Sequence, residues 1–172
     1  MGGVPERTGK RMKDSVIYRG RAFKDLAVGE RFADAMTITE AHVVGAAGLF
    51  KDFNAIHTNA AWAAGNRFGG RVVHGFLVLG IMCGVYSGYF HATDISTVET
   101  SAKFLAPVYP GDTVTTEWIV AATEPKRSLD GGLVALRGSA RNQHGAVVVE
   151  MEAKLLVANT PFGDFKRREA TP

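Results

Sequence analysis

Two short stretches of the chain carry residue types that could do chemistry. The first, Lys51 to His57, reads KDFNAIH and places the carboxylate of Asp52 five residues before an imidazole. It is too polar and irregular to form a buried helix face, and Asn54 tolerates the turn conformations that a loop needs. The second is His74-Gly75-Phe76, where a long apolar run begins. It predicts a helix start, whose leading backbone N–H groups have no intrahelical acceptor.

An acid, a base and free N–H donors are the groups needed for proton transfer next to a carbonyl. Each residue taken singly has a structural alternative. Aspartate is a common turn residue, and His57 could be a hydrogen-bonded loop histidine. The combination of Asp52, Asn54 and His57, upstream of His74 and Gly75, favours a catalytic site.

The spacing of apolar residues predicts the elements that position this site. A short amphipathic helix is expected over residues 40–50, capped by Thr39, and it leads directly into the Asp52–His57 loop. A second brief helix is expected over residues 60–65, capped by Asn59.

The run from Val72 to Phe90 contains no proline and predicts a long helix. Because it is apolar nearly all round, we expect it to be buried. Its small residues indicate that other backbone packs closely on it; they are Gly80, Cys83, Gly84, Ser87 and Gly88.

From Ile95 onward the apolar residues alternate with a period of two, which is typical of strands. A first strand is expected at residues 33–38, before the helices, and the later strands at about 95–104, 114–120, 133–141 and 147–157. A long apolar helix needs a sheet to cover it. The pattern predicts an α+β fold in which an antiparallel sheet wraps around a long central helix.

The motif Asp-x-Asn-x-x-His followed by Val-His-Gly-Phe resembles the hydratase signature of the MaoC-like, R-specific enoyl-CoA hydratases. The resemblance covers most of residues 25–158, including the turn sequence FLAPVYPGD at residues 104–112. It implies the hot-dog fold and a hydro-lyase. The implied reaction is the reversible hydration of a trans-2-enoyl-CoA to an (R)-3-hydroxyacyl-CoA, with coenzyme A present only as part of the substrate and no cofactor.

The resemblance also implies a role for each matching residue. Asp52 and His57 would hold and activate one water molecule, with His57 taking a proton from it and Asp52 moving a proton to or from the substrate α-carbon. The N–H of Gly75 would stabilise the thioester oxyanion, and glycine would let that oxygen approach the backbone.

Five further residues are candidates for the substrate-binding site: Asn54, Trp62, Phe68, His74 and Phe76. Of these, we expect Asn54 to shape the loop and His74 to fix the helix entry by hydrogen bonding. Arg71 and Lys103 could meet the phosphates of coenzyme A, although solvation at the surface explains them equally well.

Two positions depart from the family pattern, which has glycine and proline where this chain has Lys51 and Ala55. Neither change removes a reacting group, but both could alter the rigidity of the loop and the choice of substrate. Cys83 stands where some hydratases carry a serine, and we interpret it as a packing residue because a buried thiol is a weak donor.

Other functional classes remain alternatives. Several hot-dog acyl-CoA thioesterases, and the acyl-carrier-protein dehydratases that pair a histidine with a helix carboxylate, carry an acidic residue on the long helix. The run from Val72 to Phe90 has none. A non-catalytic acyl-CoA-binding domain is disfavoured by the presence of Asp52 and His57, but Lys51 and Ala55 leave it open.

The 172 residues suit one domain, expected over residues 21–160, with a flexible N-terminal arm at 1–20 and a C-terminal tail at 161–172. Much of the net charge of +3 sits at these ends, so solvated tails are favoured over nucleic-acid binding. One cysteine excludes an internal disulfide.

His57, His74 and His91 lack the short-range spacing of metal ligands, so we expect no metal site. The N-terminus has no signal-peptide core, and the run from Val72 to Tyr86 is shorter than the roughly 20 residues that span a bilayer. We therefore expect a cytoplasmic protein without membrane contact. Hot-dog proteins pair their sheets edge to edge, which implies a homodimer or a higher homo-oligomer.

Overall fold

A computed structural model describes residues 20–161. The first element of the described residues is a 3-10 turn at Phe23–Asp25. The helices are α1 (Glu40–Phe50), α2 (Ala55–Thr58), α3 (Ala60–Ala64) and α4 (Gly75–Tyr89). The strands are β1 (Arg31–Thr37), β2 (Asp94–Phe104), β3 (Thr113–Pro125), β4 (Gly131–Arg141) and β5 (Val147–Ala158). Except for Gly20 and Pro161, the predicted arm and tail lie outside the described residues.

The five strands form one antiparallel sheet in the order β1-β3-β4-β5-β2, so β1 and β2 are its edges. Helix α4 packs on one face of this sheet through three buried side chains, Val78, Met82 and Tyr86. The α+β prediction, a sheet around a central helix in the hot-dog arrangement, is confirmed.

Trp118 on β3 joins the sheet to the helix at the centre of the core. Its side chain is fully buried, and its indole N–H donates to the carbonyl oxygen of Met82 at 3.0 Å. Gly138 lies opposite it on β4, where an added Cβ would stand 2.5 Å from the Trp118 ring. Glycine is therefore required at residue 138 for the indole to lie flat on the sheet and reach α4.

Helix α4 differs from its prediction in three ways. It begins at Gly75 rather than Val72, because residues 72 and 73 donate their N–H groups to the carbonyl oxygens of Ile56 and Val108 and lie outside the helix. The expected burial all round is also wrong for the single chain, since the sheet covers only one side and Phe76 is 72% exposed. The predicted close packing of other backbone on the small residues is not observed either: apart from the backbone of α4 itself, no heavy atom of the described residues lies within 4 Å of a Cβ built at Gly80, Gly84 or Gly88.

The end of α4 is tied to the start of the domain by a polar network. The Tyr89 hydroxyl donates to Glu30, and the Arg21 guanidinium forms an ion pair with the same carboxylate at 2.9 Å. Burial alone would raise the pKa of Glu30, but hydrogen bonds from Tyr89, Arg21 and the Ala27 N–H outweigh it and lower that pKa. Burial, and then the bond to Glu30, raises the pKa of Tyr89 to about 12.

Candidate active site

The site begins where α1 ends. The Lys51 backbone is left-handed, with φ of 56°, and the Asp52 N–H then donates to Ala47 at 3.1 Å to close the helix. This conformation costs a residue with a side chain about 1 kcal/mol or more relative to glycine. The turn brings the Asp52 side chain out beside the next segment, and its Oδ1 accepts the Asn54 N–H at 3.2 Å.

Asn54 starts α2, a helix of one turn. Its side-chain oxygen accepts the N–H of Ile56 at 3.2 Å, which is the arrangement of an N-cap residue. His57 therefore lies on a short helix and not in the irregular loop that the sequence predicted. A rigid turn holds the imidazole more firmly than a loop would.

The imidazole of His57 is fixed in one tautomer by its neighbour. Its Nδ1 lies 2.8 Å from the carbonyl oxygen of Val72, and because a carbonyl only accepts, Nδ1 must carry the proton. In the neutral imidazole Nε2 is then the acceptor nitrogen, and it lies 3.6 Å from Asp52 Oδ2. The His57 side chain is 12% exposed and that of Asp52 is 48% exposed, so the pair opens to solvent on the Asp52 side.

His74 lies directly behind this pair. It is 2% exposed, and its Nε2 donates to the main-chain oxygen of Asp52 at 3.0 Å. Its ring stacks on that of His57, with centroids 3.8 Å apart and planes 24° apart. As the N-cap residue of α4, it also joins the pair to the start of the long helix.

Gly75 is the first residue of α4, and no acceptor for its N–H lies among residues 20–161. An unpaired N–H at a helix N-terminus carries the positive end of the helix dipole. The ring of Phe104, at the end of β2, lies against this glycine, and an added Cβ would stand 2.7 Å from Phe104 Cε1. The sequence did not indicate this contact.

Ligand atoms of Asp52, His57 and His74 lie within 4.8 Å of one another, which raises the question of a metal ion. A metal needs ligand lone pairs that converge on one point about 2 Å away. The lone pairs of the two stacked rings lie in planes only 24° apart at a centroid distance of 3.8 Å, so they do not converge on one nearby point, and one nitrogen of each ring is engaged with a carbonyl oxygen. The three residues do not fit a metal centre.

The remaining candidates occupy different surroundings. Trp62 on α3 and Phe76 on α4 are 54% and 72% exposed. Phe68 is half-buried, with the Arg67 guanidinium 4.6 Å from its ring centroid, and its carbonyl accepts the Tyr109 hydroxyl at 2.9 Å. The proposed contacts of these aromatic residues with substrate stay predictions.

Arg71 and Lys103 were candidates for contacts with phosphate. Arg71 is ion-paired with Glu40, and its Nη1 also lies 3.5 Å from the carbonyl oxygen of His57. Lys103 precedes Phe104 on β2, and because side chains alternate along a strand it points to the opposite face of the sheet. The coenzyme A contacts of both stay predictions.

That opposite face of the sheet carries a groove of about 520 Å³, which Lys103 lines and the predicted catalytic residues Asp52, His57 and Gly75 do not. Its walls carry charges of both signs from β2, β3, β4 and β5, including Lys103, Glu117, Arg137, Glu150 and Glu152. This mixture favours no single class of ligand.

No helix within residues 20–161 is both long and apolar enough to cross a membrane.

The sequence of this chain is similar to those of several known proteins. Residues 27–136 match the sequence model of the MaoC like domain. An (R)-specific enoyl-CoA hydratase of Rhodospirillum rubrum is 33% identical over 135 residues, which is 78% of this chain and 90% of the relative. The enzyme of the same description from Aeromonas caviae is 30% identical over 130 residues, 76% of this chain and 94% of the relative.

The solved structures agree with the sequence relatives. The crystal structure of a MaoC-like dehydratase from Rhodospirillum rubrum superposes with a TM-score of 0.73 at 29% identity. The match covers 83% of this chain and 99% of that one.

Proposed function

The chain belongs to the MaoC-like domain family, and from that membership we propose that it catalyses the reversible hydration of a trans-2-enoyl-CoA to an (R)-3-hydroxyacyl-CoA. The relatives named as enoyl-CoA hydratases support this substrate class. The observation that carries the proposal is the approach of Asp52 Oδ2 to His57 Nε2 at 3.6 Å, with the imidazole proton on the other nitrogen.

Two acceptors that face each other need a donor between them. A water molecule can meet this need, because its two O–H groups can point to Oδ2 and Nε2 at about 2.8 Å each while the acceptors stay 3.6 Å apart. The lone pairs of that water then point away from Asp52 and His57. The arrangement orients water as a nucleophile toward a substrate on the exposed side of the pair.

In the hydration direction, the water oxygen forms a bond to C3 of the enoyl thioester while one of its protons passes to His57 Nε2. The electron pair of the C2–C3 double bond moves into the thioester as an enolate. The proton then returns to C2 through the Asp52 carboxylate, which faces the same nitrogen. The sum is one hydroxyl on C3 and one proton on C2, so no oxidant, reductant or cofactor enters the balance.

The enolate oxygen needs a donor that is already in place, and we assign this role to the Gly75 N–H. It is unpaired within the described residues and lies at the start of α4, next in sequence to His74. A preorganised backbone donor of this kind is typically worth about 10²–10³ in kcat, and the helix dipole adds to it.

The acyl pocket requires apolar walls, and the single chain leaves several apolar side chains near the site open to solvent. Leu49, Phe53 and Phe76 are 83%, 67% and 72% exposed. We propose that a second copy of the chain covers part of this surface in a homodimer and completes the pocket.

Two other functions make different demands on the same site. Several hot-dog thioesterases carry an acid on the long helix, and α4 carries none between Gly75 and Tyr89. A non-catalytic acyl-CoA-binding domain would have no use for an imidazole locked with its bare nitrogen toward a carboxylate. Hydration is therefore favoured over both.

The test is an assay of the purified full-length chain with a panel of trans-2-enoyl-CoA thioesters of increasing acyl length. Hydration removes the conjugated double bond, so the absorbance of the enoyl thioester falls. Coupling the reaction to R- and S-specific 3-hydroxyacyl-CoA dehydrogenases gives the configuration of the product. We expect turnover with an R product and no free thiol. Release of free coenzyme A without hydration would indicate a thioesterase, and binding of acyl-CoA without any turnover would indicate a binding domain.

A further inference from the structure

His74 contacts every part of the proposed catalytic machinery while being closed to solvent. Its Nε2 holds the main-chain oxygen of Asp52, and its ring covers one face of the His57 imidazole. Its own carbonyl accepts the N–H groups of Leu77 and Val78, at 3.0 and 3.4 Å, in the first turn of α4. One buried residue thus joins the acid, the base and the helix that carries the oxyanion donor.

Each contact restricts a different degree of freedom. The backbone of Asp52 is held on both sides, because its N–H donates to Ala47 and its carbonyl oxygen accepts from His74, and this fixes the turn that carries the exposed carboxylate. The hydrogen bond to Val72 holds the His57 ring at one atom. Stacking at 3.8 Å against His74 then restricts the tilt of the ring plane.

The other nitrogen of His74 argues that these contacts serve more than packing. Nδ1 is buried and has no hydrogen-bond partner among the described residues. A buried acceptor without a donor costs stability. A phenylalanine would fill a similar volume and stack equally well without this cost, so packing alone does not explain an imidazole at residue 74.

We infer that His74 is a positioning residue, which sets the distance between Asp52 Oδ2 and His57 Nε2 and ties both to the start of α4. The inference rests on the proposed hydration, in which one water must be held by both groups at once. It assigns the function of His74 to the Nε2 donor and treats the ring as support.

Two substitutions separate the donor from the ring. His74→Phe keeps a flat ring against His57 and removes the Nε2 donor. His74→Gln keeps an N–H donor near the place of Nε2 and removes the ring. We expect His74→Phe to lower kcat by at least about tenfold, because a misplaced catalytic group loses rate steeply. Its KM should change by less than about threefold and its melting temperature should not fall.

His74→Gln should recover a kcat within about threefold of the original, since it restores the bond to the Asp52 carbonyl. Val78→Ala is the matched control, because it removes buried side-chain volume from the first turns of α4 without touching the pair. It should lower the melting temperature and leave kcat unchanged. The inference is overturned if His74→Phe keeps kcat within twofold, or if its kcat falls only in step with stability, as a packing defect would require.

A second measurement does not depend on turnover. Long-range ¹H–¹⁵N NMR of the imidazole rings reports the tautomer of each histidine, and His57→Gln identifies the His57 signals among the five histidines. We expect His57 to stay protonated on Nδ1 in His74→Phe, because Val72 still accepts that proton, while the Nε2 signal shifts because Asp52 Oδ2, which faces it, has moved. If no enoyl-CoA is hydrated but the Nε2 signal shifts in this way and returns in His74→Gln, the proposed function fails and the positioning role stands. Unchanged His57 signals in His74→Phe would overturn the positioning role itself.

Discussion

Phe104 lies with the edge of its ring on Gly75, so that a β-carbon at Gly75 would stand 2.7 Å from Phe104 Cε1. The last residue of an edge strand therefore meets the first residue of the central helix. Gly75 has two reasons to be glycine, namely the close approach of this ring and the proposed approach of a thioester oxygen. Phe104 is 54% exposed, so it can move aside at modest cost.

These two reasons separate in a double-mutant cycle of Gly75→Ala and Phe104→Ala. Gly75→Ala alone should lower the free energy of unfolding by about 1 kcal/mol, the low end of the cost of overpacking, because the Phe104 ring can give way. In the Phe104→Ala background it should cost much less, because the ring it strikes is gone. Turnover should stay low in both backgrounds, since the methyl group still lies where the thioester oxygen approaches.

Leu105→Ala is the control for this cycle, because it truncates the adjacent residue, which is 52% exposed. It should show no coupling to Gly75→Ala. If the variant that carries both Gly75→Ala and Phe104→Ala recovers turnover together with stability, packing against Phe104 alone explains why residue 75 is glycine.

Asp52→Asn and His57→Gln test the water-activating pair. Each removes a proton acceptor and keeps a side chain of similar size, so both variants should fold normally. Hydration of the best enoyl-CoA found should fall by at least about a hundredfold in each, which is the scale of a lost general acid or base. Circular dichroism and melting curves supply the control. Near-normal turnover in either variant would show that the pair is misassigned.

The sequence could predict the pair because Asp52 and His57 lie on one local segment, where residue type and spacing carry the information. Helix α2 was missed because four residues are too few to show a helical period. The available signal was Asn54, but asparagine is equally typical of a helix N-cap and of a turn.

The contact of Gly75 with Phe104 and the stack of His57 on His74 could not be predicted, because both are set by how separate elements pack. The exposed side of α4 was missed for a related reason. A helix that is apolar all round has the same sequence pattern whether the sheet covers all of it or only one side. Only the tertiary arrangement shows that Gly80 and Gly84 face open space.

Lys51 is the departure from the family pattern whose effect can be measured most directly. Its left-handed backbone, with φ of 56°, favours glycine. Lys51→Gly should raise the free energy of unfolding by up to about 1 kcal/mol, the strain relieved less the entropy that glycine loses. Lys51→Ala removes the charge but keeps the β-carbon, so it should not stabilise. An equal gain from both variants would point to charge rather than backbone strain.

Because β2 is an edge strand of the sheet, we expect copies of this chain to associate with each other. Among the strands of residues 20–161, none pairs with the outer side of β2, and natural proteins cover or protect such an edge. We expect light scattering to give at least a dimer at micromolar concentration. Val98→Lys, on the exposed edge strand, should shift the protein toward monomer, while Val28→Lys, at an exposed valine outside the sheet, should not. A stable monomer of the original chain would contradict the proposed dimer.

The network of Arg21, Glu30 and Tyr89 predicts how stability depends on pH. The folded-state pKa of Glu30 is lowered by its donors, so its contribution is present above the unfolded pKa of about 4.3 and is lost as pH falls through the folded value. The pKa of Tyr89 is raised to about 12, chiefly by burial and then by Glu30. Its contribution is therefore present below the unfolded pKa of about 10 and is lost as pH rises from about 10 to 12.

Tyr89→Phe removes the tyrosine titration and one of the donors to Glu30. Urea unfolding across the pH range should show three changes: lower stability at neutral pH, a smaller loss on acidification and a smaller loss between about pH 10 and 12. Part of the alkaline loss should persist, because the pKa of Tyr86 is also raised to about 12, chiefly by burial, and Tyr86 is intact in this variant. Phe32→Leu is the control, since it disturbs the ring stacked on Tyr89 at 3.8 Å and keeps the hydroxyl. If Tyr89→Phe leaves the loss of stability unchanged both on acidification and between about pH 10 and 12, Glu30 and Tyr89 do not couple folding to pH.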